Sequence, residues 1–203
     1  MRREIVFTPE TLAYLARHGK QGDTTITQIA RSKKQFQTVR RLLDTHKPRS
    51  MLDIGCGLGL SSLMIAKYSN MKYLGLLDGD GSGELFHDYR SEALAWNNVR
   101  VAGGLARINL ADTDCKVETF VQGHHPVKIP VDLIVSFKSW GTHYPVATYL
   151  ELAAQSLMNG GLVVLDLRPD DEEFRAGQRA EIEAFGFRLV ERSGDRRHVY
   201  RKL

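Results

Sequence analysis

The sequence predicts an α/β protein of Rossmann-like, doubly wound architecture: a mostly parallel seven-stranded sheet whose last strand, in a C-terminal hairpin, runs antiparallel. Three observations predict it. From residue 50 onward, short runs that are apolar throughout alternate with stretches of helical period, as expected of strands covered on both faces. A turn with glycine at every second position, Gly55-Cys56-Gly57-Leu58-Gly59, follows the first of these runs directly. Near the C-terminus, two strand-like runs are joined by Ser193-Gly194-Asp195, a connection too short for a parallel crossover.

Taken in order, Thr8-Pro9-Glu10-Thr11 opens a short helix: Thr is an N-cap type and Pro suits the first turn. Gly19 can end that helix, and Lys20 to Thr25 reads as a polar turn. A second helix is expected from about Ser32 to His46, with Phe36, Val39 and Leu43 on one stripe and Lys33, Gln37, Arg40 and Arg41 away from it. Pro48 stops it. Strands follow at Met51–Ile54, Lys72–Leu77, Lys116–Val121, Val131–Val135 and Leu162–Leu165, then at Phe187–Arg192 and Arg197–Lys202. The expected organisation is a helical extension over 1–48 and one domain over 49–203.

With 203 residues, 42% hydrophobic and 26% charged, the chain has the size and composition to bury a core. That excludes a disordered tail, a collagen-like fibre and a disulfide-rich miniprotein. Cys56 and Cys115 alone make neither a disulfide framework nor a structural zinc site. The longest apolar runs, such as Leu133-Ile134-Val135, fall far short of the ~20 residues that cross a bilayer. Met1-Arg2-Arg3-Glu4-Ile5 is not followed by a signal-peptide core. A soluble cytoplasmic protein, not a membrane one, is the expectation. The formal charge of +4 is uneven: residues 1–50 carry eleven Lys and Arg against four Asp and Glu, and residues 51–190 carry twelve against eighteen. A basic end suits a polyanion or simply a solvated helix face; the solvated face is the expected reading.

The most informative stretch is Met51-Leu52-Asp53-Ile54-Gly55-Cys56-Gly57-Leu58-Gly59-Leu60-Ser61-Ser62. A strand runs into glycines, which permit a tight turn and close approach of a ligand, and a helix begins at once with its amides facing outward. The dinucleotide pattern G-x-G-x-x-G fails by one residue, because position 60 is Leu, and there is no Walker lysine. In its place stands D-x-G-x-G-x-G. Asp53 is poorly placed for a pyrophosphate and well suited to an ammonium group. Downstream, Tyr73-Leu74-Gly75-Leu76-Leu77 ends in Asp78, where a carboxylate can accept hydrogen bonds from two ribose hydroxyls. Asp80 is a competitor that does not follow the apolar run directly.

These residues resemble the class I S-adenosylmethionine-dependent methyltransferases over roughly residues 50–203. The resemblance implies S-adenosyl-L-methionine as cofactor, with Asp53, Gly55, Cys56, Gly57 and Gly59 at its methionine part and Asp78 and Gly79 at its ribose. It further implies an adenine contact near Gln122-Gly123-His124, with Gln122 the choice, and a reversed last strand like the hairpin here. Ser136 and Phe137, at the exit of the fourth strand, complete the expected cofactor set.

That exit continues as Lys138-Ser139-Trp140-Gly141-Thr142-His143-Tyr144-Pro145. Methyl transfer from a sulfonium is an in-line displacement, so positioning dominates and a hydroxyl acceptor profits from a base. Base-amine methyltransferases place an Asn/Asp-Pro-Pro-aromatic motif here, and this chain does not. The run resembles bacterial proteins described as sugar O-methyltransferases, which implies a small hydroxyl-bearing acceptor, such as a sugar. His143 is then the expected catalytic base, with His124 and His125 next. Trp140 and Tyr144 are expected to stack on the acceptor, although packing the next helix is the plain alternative. No metal is expected: Asp166 is available after the fifth strand, but Ser136 occupies the corresponding place after the fourth.

Other readings remain open. An RNA or protein methyltransferase would dock through the basic helix, a nucleic-acid partner being the less expected one. A non-catalytic cofactor-binding subunit would keep the glycine turn and Asp78 while residues 136–145 did no chemistry. A homo-oligomer is left open.

Overall fold

The computed structural model describes residues 4–18, 25–80, 98–123, 130–168 and 172–203. Two helices come first, α1 (Pro9–His18) and α2 (Thr25–His46). The alternating part follows: β1 (Ser50–Ile54), α3 (Leu60–Ser69), β2 (Tyr73–Asp78), α4 (Val99–Leu110), β3 (Lys116–Val121), β4 (Val131–Ser136), α5 (Ala147–Ser156), β5 (Leu157–Asp166) and α6 (Glu172–Ala184). A hairpin of β6 (Phe187–Ser193) and β7 (Arg197–Lys202) ends the chain.

The strands form one seven-stranded sheet in the order β3-β2-β1-β4-β5-β7-β6. The first five pair in parallel, and β7 runs antiparallel to both β5 and β6. The expected mixed sheet with a reversed last strand is therefore present. Strand order reverses between β1 and β4, which pair at Met51–Leu133, Leu52–Ile134 and Asp53–Val135. Ligand crevices of open α/β sheets lie beyond the strand ends at such a switch.

Side chains alternate between two apolar layers. Met51, Leu74, Leu76, Leu133 and Val135 pack with residues of α1 to α4, whereas Leu52, Ile54, Ile134, Val163 and Leu165 pack with residues of α5 and α6. Leu15 of α1 and Val39, Leu42 and Leu43 of α2 belong to the first layer, so the N-terminal helices share a core with the sheet.

Two elements exceed their expected bounds. Helix α2 begins at Thr25 rather than near Ser32. Its opening Thr-Ile-Thr has weak helix propensity, and tertiary contacts override it: Ile29 packs on the first apolar layer and the Gln28 amide donates to Leu15 O at 3.1 Å. Strand β5 begins at Leu157 rather than Leu162, because Leu157 pairs with Val131 across a register shift before regular pairing resumes at Leu133–Leu162.

Candidate functional site

The glycine turn curls against the end of β2. Leu77 O accepts from both Gly55 N (2.8 Å) and Cys56 N (3.2 Å), and Gly59 N closes the turn on Cys56 O at 2.8 Å. Gly55, Gly57 and Gly59 have φ of 70°, 57° and 70°, a left-handed backbone that side chains with a Cβ adopt at a cost. At Gly55 the need is also steric, since a Cβ there would collide with the Ser139 side chain.

Both predicted acids sit at this turn, and each is buried. Asp53, on β1, accepts a short hydrogen bond from the Ser62 hydroxyl of α3. Burial pushes its carboxyl up to about 7, against the Ser62 hydrogen bond, which favours the charged form; the nearby charge of Asp78 adds to the upward shift. Asp78 accepts from Gly57 N at 2.6 Å through one oxygen and from Gly79 N at 2.8 Å through the other. It therefore staples the glycine turn to the end of β2. Burial, then Asp78 and Asp53, push the Cys56 thiol well up, which keeps it protonated and a poor nucleophile.

A cleft of about 140 Å³ opens beside the turn. It is lined by Asp53, Gly55, Cys56 and Gly59 of the turn, by Phe137 after β4, and by Gln28, Ser32 and Gln35 of α2. Gln35 is fixed by accepting a hydrogen bond from the Ser61 hydroxyl in the first turn of α3. These α2 residues were not expected at the site. Their signal is legible in retrospect: 28, 32 and 35 follow the i, i+4, i+7 spacing of one helix face and are uncharged in an otherwise basic helix. Lys33, Lys34, Arg40 and Arg41 are exposed, away from the cleft.

Other expected residues fall out differently. Gln122 follows β3 and its N–H donates to Asp78 O at 2.9 Å, which brings it beside the predicted ribose end. Ser136 is wholly buried: its hydroxyl donates to Ile54 O (2.7 Å) and accepts from Trp140 N (2.9 Å), so the side chain builds the turn after β4. Trp140 and Tyr144 are corrections. Trp140 is 1% exposed, donates through Nε1 to Val146 O at 2.6 Å and meets Tyr149 edge-on; Tyr144 is 6% exposed in the same apolar layer. Neither presents a ring to an acceptor, because the turn around Gly141 (φ 84°) folds both rings under α5.

His143 is half-buried, its N–H held by Ser139 O at 2.8 Å, and it is not among the residues lining the cleft. His124 and His125 lie outside the described residues. Among the described residues no group of His, Cys, Asp and Glu is arranged to hold a metal ion. No helix among them is long and apolar enough to cross a membrane.

No protein-family model matches the chain, and a search of curated proteins finds no match. Solved structures do match. Magnesium protoporphyrin IX methyltransferase from Synechocystis, solved with S-adenosylhomocysteine, aligns with a TM-score of 0.59 at 15% identity, over 96% of this chain and 95% of that one. The N-methyltransferase NodS from Bradyrhizobium japonicum, also with S-adenosylhomocysteine, gives 0.58 at 16% identity, over 94% and 97%. A candidate O-methyltransferase from Nostoc punctiforme gives 0.57 at 15% identity, and this chain spans 94% of itself but 66% of that protein. What the chain shares with these proteins is the Rossmann-like fold.

Proposed function

We propose that the protein is an S-adenosyl-L-methionine-dependent methyltransferase acting on a hydroxyl of a small molecule, such as a sugar. One observation carries the cofactor reading: a buried carboxyl whose charged form burial disfavours, Asp53, lines a glycine-rich cleft at the sheet's switch point. A neighbouring ammonium would draw it into the charged form, which matches the amino-acid end of that cofactor. The residues present fit the group: Asp53 and the left-handed glycines at the methionine part, Asp78 and Gly79 at the ribose, and Gln122 at the adenine. When bound, the cofactor supplies an electrophilic methyl on a sulfonium.

The chain's own part is positioning and proton handling. Phe137 and the α2 residues line the cleft, and His143 is the imidazole on the Phe137–Val146 loop, a side chain of the type that takes a hydroxyl proton. With Trp140 and Tyr144 buried, acceptor recognition falls to other surfaces. The exposed Lys33, Lys34, Arg40 and Arg41, on the helix that walls the cleft, support RNA as a second acceptor class. Binding that weakens steeply with salt would select RNA over a small molecule.

Calorimetry with S-adenosylhomocysteine and NADH tests the cofactor reading. The wild type should bind the first and not the second. Asp78→Ala loses charge-assisted hydrogen bonds worth ~1.5–3 kcal/mol each. NADH binding, or unchanged affinity in that variant, would overturn the assignment.

A further inference from the structure

We propose that Arg197 is a positioning residue that latches α2 over the cofactor cleft and sets the cleft's width, an inference that rests on the cofactor reading above. Arg197 opens β7 and is buried. Its guanidinium is anchored first on Asp166, at the end of β5, through Nε to Oδ1 at 2.8 Å and Nη2 to Oδ2 at 2.9 Å. The remaining nitrogen, Nη1, leaves the sheet altogether and donates to the Thr38 hydroxyl and to Gln35 O (3.4 Å) on α2. The flat face of the same group lies over the Phe137 ring, 4.5 Å from its centroid.

Phe137 and Gln35 both line the cleft. One planar, permanently charged group thus touches two lining residues, one on the loop after β4 and one on α2, while fixed to a third element. Only a guanidinium has the donors for this: two in a fork for the carboxylate, another directed elsewhere in the same plane, and a face to lie on an aromatic ring. A lysine would keep the charge and lose the geometry. Gln35 passes the constraint inward, because its side chain accepts from Ser61 beside the glycine turn. Arg197 touches no cofactor atom in this account. It acts by raising the fraction of molecules in which α2 is closed, and apparent affinity scales with that fraction.

The latch can be opened without leaving a buried charge unpaired. Removing Arg197 alone would strand Asp166, so the paired change Asp166→Leu with Arg197→Met removes both charges together. Thr38→Val cuts the contact to the α2 hydroxyl and leaves the ion pair intact. Affinity for S-adenosylhomocysteine is measured by calorimetry, backbone hydrogen exchange is followed over residues 25–38, and thermal midpoints are recorded.

If unlatching lowers the closed fraction to about one tenth, the double variant binds ~10-fold more weakly, and Thr38→Val a few-fold more weakly. Exchange in α2 should rise in both and fall again when ligand is added. Arg197→Lys, which keeps a charge beside Asp166, should fold with a thermal midpoint at or above that of the double variant and still bind S-adenosylhomocysteine more weakly than the wild type. Wild-type affinity in folded double variant and Thr38→Val, with α2 exchange unchanged, overturns the latch. If the wild type itself fails to bind S-adenosylhomocysteine, the cofactor reading fails instead, and exchange in α2 still reports whether Arg197 holds the helix.

Discussion

If Asp53 receives the cofactor's ammonium, cofactor affinity must depend on pH through this one carboxyl. In the free protein burial holds it at about 7, and the binding-competent form is the ionised one. At one pH unit below that value, about one molecule in eleven is ionised, so the apparent affinity for S-adenosylhomocysteine should be ~10-fold weaker than on the plateau above neutrality. Calorimetry in two buffers of different ionisation enthalpy reads the proton directly: close to one released per binding event near pH 6, and few above pH 8. Asp53→Asn should bind more weakly at high pH and lose most of the dependence. The unliganded protein should show the linked effect on stability. Because the folded pKa is raised above the ordinary ~4, the contribution is fully present below pH 4 and is lost as pH rises to about 7, at up to ~1.4 kcal/mol per pH unit. Affinity that is flat between pH 6 and 8, or a profile that survives in Asp53→Asn, would refute the reasoning.

Three other variants separate structural from functional roles. Gly55→Ala must force a Cβ against Ser139 at a φ of 70°, and urea unfolding should show ~2–5 kcal/mol of lost stability; wild-type stability would mean the contact yields freely. Trp140→Ala should cost ~3–5 kcal/mol by the same measurement while the folded fraction keeps its affinity for S-adenosylhomocysteine, and a fully stable variant that has lost only turnover would return Trp140 to the acceptor. His143→Ala should retain cofactor affinity and lose ~10²-fold or more in turnover with a hydroxyl acceptor; near-normal turnover ends its candidacy as base.

The sheet was legible because its strands are apolar on both faces and its punctuation is unambiguous. The glycine turn, Asp53 and Asp78 were legible because a left-handed backbone and a carboxyl at a strand end leave a local trace. The α2 wall left only a faint one. The helix was expected only from about Ser32, because Thr25, Ile26 and Thr27 disfavour a helix in isolation, and what makes the first two turns helical is packing on α1 and the first apolar layer. Trp140 and Tyr144 illustrate the opposite error. Aromatic residues beside a histidine invite a stacking role, yet the turn at Gly141 directs both rings inward, and no local pattern distinguishes the two outcomes. Arg197 is invisible in the sequence, since its partners lie 31 and 159 positions away.

The placement of β7 between β5 and β6 bears on the order in which the protein assembles. Helices α1 and α2 emerge early in synthesis, but one polar contact between α2 and the sheet joins Thr38 to a residue 159 positions later. Contacts of such sequence separation carry the largest loop-closure cost and form late. The parallel core of β1 to β4 and the packing of Val39, Leu42 and Leu43 on it can form first, leaving the edge of β5 unpaired and Thr38 without its arginine until β7 slots in. That interval is when the nascent chain is most open to aggregation or to capture by a chaperone, and slowing the closure of the β6–β7 hairpin would lengthen it.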